Sequence, residues 1–309
     1  MTFQRVLITG AGGLLGQELV KQLSLNSRLD VLATGRDELP SFTDASVGYT
    51  SMDISDFGRV REVFEDFAPH VVVNCAAMAG VDLCETEREQ CWTVNVEAVE
   101  NMARLCRTHG SRLVQISTDF VFDGLGGPYQ EDARPNPVNF YGKSKFAAEN
   151  AVRQMNPDKW VIVRTVLVFG TGRSLKRTNV GMWIVADLTE GKPIRVFTDQ
   201  LRSPTYVADL ANGLERIIRL NRTGVFHVSG REYMSLFEFA QSVAKAFDLD
   251  SSLISPVTRE DFQLVAERPP KTGFIILKAE TELGYRPHAL ADSLRDLRSR
   301  IDSHIPHTS

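Results

Sequence analysis

Tyr141 and Lys145 stand four positions apart in Tyr141-Gly142-Lys143-Ser144-Lys145. On a helix that spacing places the phenol and the ammonium on one face. A phenol that meets a cation can donate a proton near neutral pH. A free tyrosine titrates near pH 10, and bringing it to about 7 takes roughly 4 kcal/mol. One ammonium about 4 Å away supplies about that much at an effective dielectric of 20. Upstream, Leu113-Val114-Gln115-Ile116 is an apolar run that ends abruptly in Ser117-Thr118-Asp119. A hydroxyl at the carboxyl end of a buried strand sits where open α/β sheets bind ligands. Thr118, Tyr141 and Lys145 are therefore the candidate reaction groups. The competing reading of the tyrosine and lysine is a solvated pair on a surface helix, and the other motifs weigh against it.

These groups need elements to position them. Val6-Leu7-Ile8-Thr9 is strand-like and runs directly into Gly10-Ala11-Gly12-Gly13-Leu14-Leu15-Gly16, after which Leu15, Leu19, Val20 and Leu23 recur at helical spacing. Strand, glycine turn and helix form the setting of a nucleotide-binding loop, whose backbone approaches a pyrophosphate closely and offers it free helix N–H groups. The next strand, Asp30–Thr34, ends in Gly35-Arg36. An arginine at that place favours the 2′-phosphate of NADP(H), whereas an acid selects NAD. Val71-Val72-Val73 reads as a strand buried on both faces, and Asn74-Cys75-Ala76-Ala77 keeps small groups at its end. The segment Cys91 to Cys106 reads as one amphipathic helix, and Trp160–Thr165 as a further strand.

Strands alternating with helices predict a doubly wound parallel (Rossmann) sheet. The expected division is a cofactor-binding domain over residues 1–170, with 198–229 returning to it. Residues 171–197 and 230–309 are expected to form a smaller, interleaved substrate-binding domain. Ser235 with Glu238 three positions later predicts a capping box at a helix start.

Composition bounds the function. The chain has 309 residues, 24% of them charged, and a net charge of −4, which gives no electrostatic case for nucleic acid or an anionic membrane. No apolar run approaches the roughly 20 residues of a membrane span, and the start carries no signal-peptide pattern. A cytoplasmic protein is expected, and a homodimer is compatible with the sequence. Cys75, Cys84, Cys91 and Cys106 form no CxxC pair and read as free thiols packed like small apolar residues. The six histidines include no HxH or HExxH, so no metal site is expected.

Taken together, Thr9–Gly16, Asp53-Ile54, Asn74–Ala77, Ser117-Thr118-Asp119 and Tyr141–Lys145 resemble the extended short-chain dehydrogenase/reductase family. Within it, Ser117–Gly124, Pro128–Glu131, Asp199-Gln200, Ser203-Pro204-Thr205, Asp209–Ala211 and Arg268-Pro269 follow the order seen in dTDP-4-dehydrorhamnose reductases, over nearly the whole chain. The resemblance implies an NADPH-dependent reduction, with NADH as a second cofactor, of the 4-keto group of a nucleotide-linked 6-deoxysugar. It gives Tyr141 the proton, Lys145 the nicotinamide ribose and Thr118 the carbonyl. Gly10, Gly13, Leu14, Leu15 and Gly16 fall to the pyrophosphate turn, Arg36, Asp53 and Ile54 to the adenosine end, and Asn74, Ala76 and Ala77 to the cofactor's middle. Thr118, Asp119, Phe120 and Arg202 fall on the sugar side. A non-catalytic NADP-binding regulatory subunit, similar to that of methionine adenosyltransferase, is the alternative from another class, and an epimerase or dehydratase a third. The sequence departs from the reductases at Phe120, where they carry tyrosine, at Val166-Leu167, where they carry Ser-Trp, and near Ile275, where an aspartate is expected.

Overall fold

Seven short strands pair into one sheet, the central ones too apolar to face water. They are β1 (Gln4–Thr9), β2 (Leu29–Gly35), β3 (Gly48–Ser51), β4 (Val71–Asn74), β5 (Arg112–Thr118), β6 (Trp160–Thr165) and β7 (Gly224–His227). Every pairing is parallel, and the order across the sheet is β7-β6-β5-β4-β1-β2-β3. This computed structural model describes residues 4–42 and 46–302. The fold is the doubly wound parallel sheet that the alternation of elements predicts.

Alternate residues of each strand enter opposite layers, as a pleat requires. Val6, Ile8, Val71, Val73, Val114 and Val163 pack under helices α1 (Leu14–Ser24) and α6 (Val207–Arg219). Leu7, Val72, Leu113 and Ile162 pack under α2 (Phe57–Phe67), α3 (Ala98–His109) and α4 (Phe140–Arg153). A third cluster joins α5 (Val180–Thr189), α7 (Leu236–Ala246) and α8 (Leu290–Asp302) around Phe169, Ile184, Phe239 and Leu294. Ile194–Phe197 and Ile254–Val257 pair in parallel beside it. Helix α7 opens with the capping box expected at Ser235 and Glu238.

The strand order reverses between β1 and β4, so the connections leaving their carboxyl ends diverge and open a crevice there. Among the described residues no helix is long and apolar enough to cross a membrane.

The segment 91–106 differs from its reading as one continuous helix. Arg88–Trp92 and α3 are separated by a π-helical turn at Thr93–Glu97. The extra residue in that turn lets Asn95 point inward, where its amide bonds the Met78 backbone in both directions, at 2.9 and 3.0 Å.

Candidate functional site

A cleft of about 1510 Å³ runs along the carboxyl ends of β1, β2, β4, β5 and β6. Its floor is the glycine turn. Gly10 has φ +66°, and a Cβ there would lie 2.7 Å from the Ala76 backbone, so only glycine lets the two strand ends approach. Helix α1 starts at Gly13 with no side-chain cap, which leaves its first N–H groups facing the cleft. Gly10, Gly13, Leu14, Leu15, Arg36, Asp53, Ile54, Asn74, Ala76 and Ala77 all line this space.

Gly16 does not line the cleft. A Cβ there would fall 2.3 Å from the Gly10 carbonyl oxygen and 2.6 Å from the Ala11 Cα, so its place is to seat α1 against the turn. Asn74 lines the cleft, but its amide is engaged. It accepts from Thr9 at 2.5 Å and donates to Gln115 at 2.9 Å, which ties the ends of β1 and β4 to the middle of β5.

The three candidate reaction groups converge. Thr118 ends β5, and Tyr141 and Lys145 lie on α4, whose start Asn139 caps by accepting from the Gly142 N–H at 2.8 Å. All three face the cleft. Gly142 permits this approach, because a Cβ would meet the Phe120 carbonyl oxygen at 2.1 Å. Ser144 donates to the Tyr141 carbonyl at 2.8 Å and receives a bond from Asn95 at 3.0 Å, so the inward asparagine of the π turn steadies the start of α4. Asn95 was not expected from the sequence; an amide interrupting an apolar helical stripe was the available signal.

Burial raises the Tyr141 phenol above its ordinary value, while a hydrogen bond with Thr118 lowers it, Asp119 and Cys84 raise it, and the Arg177 charge lowers it. Thr118 and Arg177 are thus the neighbours that lower the phenol. Lys145 is itself buried and desolvated, which brings its ammonium down to about 8 against the pull of Glu149 and the thiols of Cys91, Cys75 and Cys84.

Asp119 is buried and burial raises its carboxyl, opposed by Arg202, Thr272 and Thr118. Thr118 donates to one of its oxygens at 3.1 Å, Thr272 donates to the other, and Arg202 stands 3.6 Å away. Arg202 also donates to the carbonyls of Leu201, Pro269 and Pro270 at 2.8, 2.7 and 3.1 Å. Its guanidinium is 3% exposed and lines the cleft with Asp119 and Phe120, and these bonds fasten the carboxyl-terminal segment beside Asp119. Phe120 meets Tyr141 edge to face at 6.1 Å, and Arg202 lies over the Phe120 ring at 5.5 Å.

Residues 4–302 match the family described as RmlD substrate binding domain. The chain belongs to this family. Within the RmlD family and the wider extended short-chain dehydrogenase/reductases, it is similar to a probable low-salt glycan biosynthesis reductase, Agl14, of Haloferax volcanii, at 30% identity over 96% of this chain and 98% of that one. It is also similar to methionine adenosyltransferase 2 subunit beta of Xenopus laevis, at 35% identity over 83% of this chain and 76% of that one. A solved dTDP-4-dehydrorhamnose reductase from Bacillus anthracis, in complex with NADP, superposes with a TM-score of 0.85 at 31% identity, covering 97% of this chain and 100% of that one.

Against this RmlD framework, one of the three departures, Phe120, meets the Tyr141 ring, and the other two lie elsewhere along the chain. Val166 is wholly buried, and Leu167 lines the cleft with φ +40°, a conformation non-glycine residues rarely adopt. Ile275 is 36% exposed, at a position where a carboxylate was expected. The RmlD chain here also has a feature the sequence did not signal. The segment 171–179 crosses the cleft, bringing Lys176, Arg177 and Asn179 onto its wall.

Proposed function

We propose that this chain is an NADPH-dependent reductase of the 4-keto group of a nucleotide-linked 6-deoxysugar. The observation that carries the reading is the meeting of Thr118, Tyr141 and Lys145 on one wall of a cleft floored by an uncapped helix start and a glycine turn. The floor fits a dinucleotide: free N–H groups of α1 suit a pyrophosphate, and the Gly10–Ala76 contact leaves the backbone bare for a flat ring. Arg36, exposed at the end of β2, suits a ribose 2′-phosphate. The NADP in the Bacillus anthracis reductase supports that choice, and NADH is the second candidate.

When bound, the nicotinamide supplies a hydride to the carbonyl carbon. Thr118 would hydrogen-bond the carbonyl oxygen and turn it toward Tyr141. The Tyr141 hydroxyl would deliver the proton to that oxygen as the C–H bond forms, leaving the alcohol and a phenolate that solvent reprotonates. Lys145 would hold the nicotinamide ribose and, once that ligand orders it beside the phenolate, stabilise its charge. The third cluster, with residues 171–197 and 230–302, would carry the sugar nucleotide. A dehydratase needs a free acid next to the threonine, and Asp119 has both oxygens engaged.

NADPH oxidation is the test. Turnover is expected with dTDP-4-keto-6-deoxymannose, and Tyr141→Phe should reduce it by about 10²–10⁴-fold while NADPH still binds. Undiminished turnover in that variant would remove the mechanism.

The 35% identity to a methionine adenosyltransferase subunit favours a second reading, a cofactor-binding regulatory subunit. Under it the purified chain turns over no keto-sugar and instead binds a methionine adenosyltransferase catalytic subunit.

A further inference from the structure

The segment from Thr171 to Asn179 is tethered at three points. Gln17 of α1 donates to the Arg173 carbonyl at 2.8 Å and accepts from the Arg173 N–H at 2.9 Å. Lys176 pairs with Asp37, beyond the end of β2, at 2.5 Å. Asn179 donates to the Gly170 carbonyl at 2.8 Å and caps α5. These contacts fix the segment across the cleft, with Arg177 between the second and third of them.

Arg177 stands apart from the other cations nearby. Arg202 is spent on carbonyls and Asp119, Arg268 donates to Asp82 at 2.7 Å and to Ala266, and Lys176 is paired. Arg177 makes neither an ion pair nor a hydrogen bond among the described residues. It lines the cleft, with Nη1 3.6 Å from where a Gly80 Cβ would be, and its charge acts on Asp82, Cys84 and the Tyr141 phenol. An unpaired arginine is ordinarily a solvated surface group. Arg177 is exposed, but on a strap tethered at three points it lines the cleft and presents an open planar fork there.

We infer that Arg177 forms an anionic subsite that grips the diphosphate of the sugar-nucleotide substrate and so sets the keto-sugar against Tyr141. The inference rests on the proposed substrate class. Five donors in a rigid fork match a diphosphate oxygen pair, which the compact ammonium of lysine does not. The group touches substrate remote from the reacting carbon, so its loss weakens substrate binding far more than it changes the chemical step.

The test uses the full chain saturated with NADP, so that the cofactor's phosphate positions are filled. dTDP and inorganic pyrophosphate are titrated calorimetrically into wild type, Arg177→Gln and Arg177→Lys. Arg177→Gln should weaken binding of both probes by about tenfold or more, with partial recovery in Arg177→Lys. NADP affinity should not change, and in turnover KM for the sugar nucleotide should rise while kcat stays within about threefold. Equal binding of dTDP by wild type and Arg177→Gln would overturn the inference while leaving the reductase reading intact. Wild type that binds pyrophosphate through Arg177 but ignores dTDP would support the subsite and remove the thymidine carrier. Wild type that binds neither probe would overturn the subsite.

Discussion

Glu149 stands one helical turn beyond Lys145, and Arg164 grips both of its carboxylate oxygens, at 2.8 and 2.7 Å. Ser117 and Arg153 add bonds of 2.7 and 2.9 Å. Tyr141, Lys145 and Glu149 thus share one stripe of α4, and the stripe ends in an ion pair that links the helix to β5 and β6. Burial works against the Glu149 charge, yet Arg164, Ser117 and Arg153 hold its carboxyl below the ordinary value.

Glu149→Gln should therefore be strongly destabilising. Arg164 is 1% exposed, and removing the carboxylate strands its charge in the sheet. Breaking a buried pair from one side costs about 3–5 kcal/mol. Denaturant unfolding of the variant measures it, and a loss under about 1 kcal/mol would mean that Arg164 reaches water. In wild type the contribution is present above the ordinary carboxylate pKa and is lost as pH falls through the lowered native value.

Lys145 gives a pH dependence of the same sign, in a window at higher pH. Burial lowers its ammonium to about 8 from 10.5. Below pH 8 both folded and unfolded chains carry the charge, and the folded chain bears the desolvation. Between about 8 and 10.5 the unfolded chain binds the extra proton, so this site's penalty fades as pH rises. Lys145→Met should accordingly be more stable than wild type at pH 7, with the gap closing by pH 10.5 in thermal melts. Activity should run the other way, because a neutral lysine loses its hold on a phenolate. The kcat/KM profile is expected to fall with an apparent pKa near 8. A profile flat to pH 10 would mean that Lys145 stays charged in the free enzyme.

The sequence disclosed the buried strands, because three consecutive valines or a Val-Leu-Ile run have no place except a sheet covered on both faces. It also placed Tyr141 and Lys145 on one face of a helix, since α4 keeps its periodicity from cap to end. It did not disclose β3, whose four residues, Gly48-Tyr49-Thr50-Ser51, carry no apolar run and pair only with β2. Nor did it show how charges are shared out. Arg202 and Arg177 look alike in the sequence; only the fold brings Pro269, Pro270 and Asp119 to the first and leaves the second open. Roles set by partners distant along the chain were illegible for that reason.

The glycine turn separates two kinds of loss. Gly10→Ala places a methyl 2.7 Å from the Ala76 backbone at φ +66°, and Gly16→Ala one 2.3 Å from a carbonyl oxygen. Neither neighbour is a side chain that can swing away. Each variant should lose about 1–3 kcal/mol of stability, the usual range for overpacking. Gly10→Ala should also weaken NADPH binding where protein remains folded, because the cleft floor itself is displaced. A thermal scan with and without NADPH reads both effects. A Gly16→Ala protein of unchanged stability would show that α1 can slide outward.

In the proposed reading, cofactor choice turns on Arg36 and on what happens to its neighbour. Asp37 follows it directly, and a carboxylate there would repel a 2′-phosphate, but Lys176 neutralises it at 2.5 Å. Arg36 itself makes no ion pair among the described residues and is free to meet a phosphate. A charge-assisted bond of this kind is worth about 1.5–3 kcal/mol, so Arg36→Ala should weaken NADPH by about 10–150-fold and leave NADH nearly unchanged. Lys176→Ala should act in the same direction more weakly, by exposing the Asp37 charge, and adding Asp37→Asn should restore NADPH affinity. Fluorescence titration with both nucleotides distinguishes these cases. If Arg36→Ala weakened NADPH and NADH equally, the arginine would be reading the shared adenosine and not the 2′-phosphate.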